Sequence, residues 1–99
     1  MIKIEINKNE IIIKGHANYD TLGKDIVCAA VSSIVITTVN AIKRINDKAI
    51  DVLEHPDLLT IKIIEHEEVI DTLITNMIHL LTELAVDYPK NIKILKEEE

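Results

Sequence analysis

Between Asp25 and Lys43 the chain runs for seventeen residues, Ile26 to Ile42, without one charged side chain. That length exceeds any ordinary strand, so despite its β-branched residues the run predicts a helix from about Asp25 to Lys43 or Arg44. Val27, Ala30, Ile34, Val35, Ile36, Val39 and Ile42 spread nearly all round it, so the fold must cover this helix on several sides. Burial inside one molecule and burial in a dimer would satisfy that demand equally.

What surrounds the run supplies the cover. Ile2, Ile4 and Ile6 alternate with Lys3, Glu5 and Asn7, the period of a strand buried on one face, and Glu10–Lys14 reads as its hairpin partner across Asn7-Lys8-Asn9. Lys48–Glu54 and Leu58–Glu65 predict two more strands joined at His55-Pro56-Asp57. From Glu67 to Asp87, Ile70, Leu73, Ile74, Met77, Ile78, Leu81, Leu84 and Ala85 recur at helical spacing and stop before Pro89. Ile92 and Ile94 suggest a last short strand before an acidic tail. The order ββαββαβ predicts an α/β (α+β) fold, a mostly antiparallel sheet packed with two long helices, and 99 residues suffice for a single domain, 1–99.

Charge and composition narrow the function. A formal net charge of −6 repels phosphate backbones, and two tyrosines are the only aromatics on which a base could stack. Nucleic acid is therefore not expected as a partner, whereas basic polypeptides would be attracted. The N-terminus alternates apolar and charged residues, unlike a signal peptide or membrane span, and a lone cysteine suits a reducing compartment; both predict a cytoplasmic protein with no membrane partner. Two glycines cannot make a phosphate-cradling loop, and no histidine pair has zinc-site spacing, so neither cofactor nor metal is expected.

Gly15 to Lys24 lacks any period and reads as a loop with Gly15 and Gly23 at its ends, a candidate flap. Asp25, immediately before the apolar run, has the position of an N-cap. That would place Cys28 in the first helical turn, where unpaired backbone N–H groups stabilise a thiolate and can hold an oxyanion. His16, twelve residues upstream on the loop, is a proton-transfer partner within plausible reach. Asp25 would cap the helix or orient the His16 ring. Ser32, one turn beyond Cys28, shares its helix face.

Each residue also has a plainer reading. Cys28 within Ile-Val-Cys-Ala-Ala suits a small apolar filler, His16 a loop histidine, and Ser32 a packing residue. His55, His66 and His79 are expected to be solvated.

The segments Gly15-His16-Ala17-Asn18-Tyr19 and Gly23-Lys24-Asp25-Ile26-Val27-Cys28-Ala29-Ala30-Val31-Ser32 closely resemble the ribosomal-processing cysteine protease family, Prp. Weaker similarity extends to Leu84-Ala85 and Tyr88-Pro89. The resemblance implies that Cys28 is the nucleophile and His16 the general base and acid, with Asp25 and Ser32 assisting. It also implies a homodimer, a flexible loop over the site, and a peptide substrate: the N-terminal extension of large-subunit ribosomal protein twenty-seven, cut after an apolar-aromatic stretch and before a small residue. Gly15, Ala17, Asn18, Tyr19 and Gly23 would form the flap and substrate loop, with Tyr19 as a lid. Asn18 departs from the glycine common in the family, although Asn tolerates left-handed backbone better than most residues. The rival readings are a non-enzymatic ribosome-associated binding protein and a thiol redox sensor; the second lacks a resolving cysteine.

Overall fold

The computed structural model describes residues 1–15 and 22–97, with the side chains of residues 22–25 left out. The order is β1 (Ile2–Ile6), β2 (Glu10–Lys14), α1 (Leu22–Ile45), β3 (Ile50–His55), β4 (Leu58–Ile63), α2 (Glu68–Asp87) and β5 (Ile92–Lys96). One five-stranded sheet runs β3-β4-β2-β1-β5, antiparallel throughout except where β5 lies parallel to β1. The predicted α+β fold of two helices on a mixed sheet is the fold observed.

Register explains the core. Ile4 pairs with Ile13 and with Ile94, Ile11 with Ile6 and with Ile61, and Ile50 with Ile63, so the inward positions of neighbouring strands form continuous isoleucine rows. Ile2, Ile4, Ile11 and Ile61 are fully buried there. Branched side chains suit this pleated face because their limited χ1 freedom leaves little entropy to lose. Val27, Val31, Val35 and Ile42 of α1 and Ile70, Ile74, Met77 and Leu81 of α2 complete the core from the helix side. Thr38, the one buried polar residue described, donates its hydroxyl to the Ile34 carbonyl at 2.9 Å.

Two turns differ from expectation in useful ways. His66 is partly exposed, as predicted, but held: Nδ1 lies 2.9 Å from Asp71 Oδ1 and Nε2 2.8 Å from Asn9 Oδ1, tying the β1–β2 turn to the start of α2. The β3–β4 hairpin has a two-residue loop, with Pro56 fixing one φ and Asp57 taking φ 63°, the combination a type II turn requires.

Helix α1 begins at Leu22, three residues before the predicted cap. Asp25 is therefore its fourth residue rather than its N-cap, and Gly23 lies inside the first turn rather than at the end of a loop. The loop reading failed here because one glycine and no apolar period look like a break locally. A glycine lowers helix stability by only about 1 kcal/mol relative to alanine, which the following long helix readily offsets.

Candidate active site

Cys28 lines a cleft of about 360 Å³ between α1 and the β3–β4 hairpin. Val31, Val35 and Ile36 form its helix wall, Ile2 and Ile13 its floor, and Leu58 and Leu59 the facing hairpin wall. Cys28 is half-buried, its body packed against the core, so it combines the filler role with an open side. Ser32 lines the same cleft, as the one-turn spacing predicted.

The backbone around Cys28 is not as predicted. Cys28 is the seventh residue of α1, about 9 Å along the axis from Leu22. Its N–H belongs to the helical ladder, and the unpaired donors of the first turn end at residue 24. The dipole effect fades within that first turn, so Cys28 lies beyond the reach of the helix end, contrary to the sequence expectation. The Cys28 N–H, already bonded within the helix, is not a free oxyanion donor.

His16, Ala17, Asn18 and Tyr19 lie outside the described residues, as does any contact of the Asp25 side chain. What the structure does fix is where the chain departs toward them. Gly15 has φ 73°, its N–H donates to the Asp57 carbonyl at 2.8 Å, and a Cβ placed on it would stand 2.8 Å from the Met1 carbonyl oxygen. The sequence predicts Gly15 to be a source of freedom at the flap. It is instead a pinned exit from β2, held between the N-terminus and the hairpin turn, at the edge of the cleft that holds Cys28.

The hairpin wall contains what the sequence reading missed. Glu54, His55 and Asp57 line the cleft opposite Cys28, and His55 is exposed as expected. Strand alternation held the signal for Glu54: Ile50, Val52 and Glu54 share one face of β3, and a carboxylate follows two apolar residues there. Among the described residues, no group of three or more His, Cys, Asp and Glu is arranged to hold a metal.

Comparison with known proteins gives this cleft a context. A family model described as Cysteine protease Prp matches residues 1–93. The ribosomal processing cysteine protease Prp of Mycoplasma genitalium is 57% identical over 35 residues, a match spanning 35% of either chain. The crystal structure of the S. aureus ribosomal processing protease Prp with a covalently linked product peptide superposes with a TM-score of 0.88 at 24% identity, covering 98% of this chain and 100% of that one. Its complex with a substrate peptide gives 0.89 at 23% identity, with the same coverage. At these identities the two crystal structures speak for the fold.

Proposed function

Because the chain belongs to the cysteine protease Prp family, we propose that it is a cysteine endopeptidase that cuts a polypeptide held in the α1–hairpin cleft. The observation that carries this reading is the placing of its one cysteine, with Ser32, on the wall of an apolar cleft rather than deep within the core.

His16 takes the thiol proton as the Cys28 sulfur attacks the substrate carbonyl, then gives that proton to the departing amine. The acyl half is left as a thioester on Cys28. Water, deprotonated by His16, attacks the thioester, and the carboxylic product leaves as the thiol regains its proton. Ser32 donates a hydrogen bond to substrate, and the Asp25 carboxylate orients the His16 ring. No cofactor enters this sequence of steps.

The substrate is the N-terminal extension of large-subunit ribosomal protein twenty-seven, in a cytoplasmic setting. Two properties of the chain support that choice. The cleft lining is mostly aliphatic and its volume is at the small end for ligand pockets, which suits a short apolar stretch of peptide. A net charge of −6 attracts a basic polypeptide. The relatives bearing on this are named for ribosomal processing, and one was crystallised with a substrate peptide.

Incubating the wild-type protein with the extended ribosomal protein and weighing the products by mass spectrometry tests the reading. Two fragments summing to the substrate plus one water are expected. Intact substrate in a stable complex with the wild-type protein would instead establish the non-enzymatic binder.

A homodimer belongs to the same proposal. Ile26, Ala29, Ser33, Thr37 and Asn40 make an exposed, uncharged stripe along α1, with Ile26 59% exposed. Uncharged helix faces of this length call for a cover. Sedimentation should give twice the 11.2 kDa chain mass, and Thr37→Glu, away from the cleft lining, should shift the protein to monomer. A wild-type monomer at tens of micromolar would refute the dimer.

A further inference from the structure

We propose that Glu54 selects a cationic side chain in the bound peptide, so that the cleft takes a segment in which an apolar residue neighbours a lysine or arginine. This rests on the reading of the cleft as a peptide site. The argument begins with register. Glu54 pairs with Leu59, Leu59 with Ile13, and Ile13 with Ile4, so the carboxylate ends an inward-facing row that is otherwise aliphatic.

Strand β3 is the sheet edge, and Glu54 lies near its end with an exposed side chain that lines the Cys28 cleft. Among the described residues its side chain makes no hydrogen bond or ion pair. Asp57 adds a second carboxylate to the same wall, and no lysine or arginine is among the described residues that line it. Bound peptide would shield Glu54 from water, and a carboxylate so shielded favours a cationic ligand.

Inward-pointing charge on an edge strand has another use, which is to block pairing with a second sheet. The experiment separates the two roles. Fluorescent decapeptides with aliphatic flanks and Lys, Gln or Glu at one position at a time are titrated against Cys28→Ala protein, which reads binding without cleavage. At the preferred position Lys should bind about threefold tighter than Gln and about tenfold tighter than Glu at low salt, with the gap closing at high salt. Glu54→Gln should reduce the Lys-to-Gln ratio below about twofold, and Glu54→Lys should reverse the order of Lys and Glu.

Retention of the wild-type ratios by Glu54→Gln, or soluble wild type with no lysine preference at any position, overturns the inference. Aggregation of Glu54→Gln with unchanged ratios overturns it in favour of the edge-guarding role. Cleavage by wild type without charge preference leaves proteolysis standing and removes Glu54 from specificity. Glu54-dependent lysine binding without cleavage of any peptide does the reverse.

Discussion

Cys28→Ala is expected to lower kcat/KM for peptide cleavage by about 10⁴-fold or more, because removing a nucleophile leaves only binding and electrostatic stabilisation to speed the reaction. Packing predicts little loss of fold to accompany it. The side chain is half-buried at the edge of the core, and replacing a thiol by hydrogen there should alter stability by about 1 kcal/mol or less. Unfolding therefore cannot produce the effect, and a thermal melt within a few degrees of wild type is the control. His16→Ala should fall to a similar floor, since residues that act as one unit lose most of their effect together. A Cys28→Ala protein keeping more than a tenth of wild-type turnover would mean that the nucleophile lies elsewhere.

Gly15→Ala should have the second largest effect, and it should be felt twice. In stability, left-handed backbone costs a residue with a Cβ about 1–2 kcal/mol, and that Cβ would also press on the Met1 carbonyl oxygen from 2.8 Å. A total near 2 kcal/mol would lower the melting temperature of a chain this size by about 10 °C. In turnover, the disturbance falls on the residue directly before His16, and a displacement of about 1 Å in a catalytic group can reduce rate about a hundredfold. The loss should appear in kcat more than in KM when assayed well below the melt. Gly15→Asn separates the two strains: it relieves the backbone preference yet keeps the collision with Met1, so it should recover only part of the stability. Wild-type turnover in Gly15→Ala would show that the pinned exit from β2 does not position the base.

Those two expectations draw on the sequence to different degrees. Cys28 and Ser32 at one cleft was legible, because a four-residue spacing on a helix fixes a shared face regardless of tertiary context. The chemical meaning of Gly15 was not. Its glycine was noticed, but freedom and obligatory left-handed geometry look alike until the Met1 carbonyl and the Asp57 acceptor are placed around it. Glu54 was half legible: alternation puts it on the face of Ile50 and Val52, but nothing local says that this strand is the edge beside Cys28.

The start of α1 shows the same division at a smaller scale. The length of the apolar run from Ile26 decided for a helix over its β-branched content, while the polar residues before it carried no periodic signal, so the boundary was set three residues late and the helix-end activation of Cys28 with it.

By itself, then, the sequence determined the kinds and order of the elements, the isoleucine faces and the shared face of Cys28 and Ser32, since each follows from periodicity within a few neighbouring residues. Only the tertiary structure decided that β3 and β4 lie beyond β2, bringing a carboxylate and a tight turn across from the cysteine. Strand order depends on which faces bury the most apolar surface over the whole chain, and no local pattern encodes that sum.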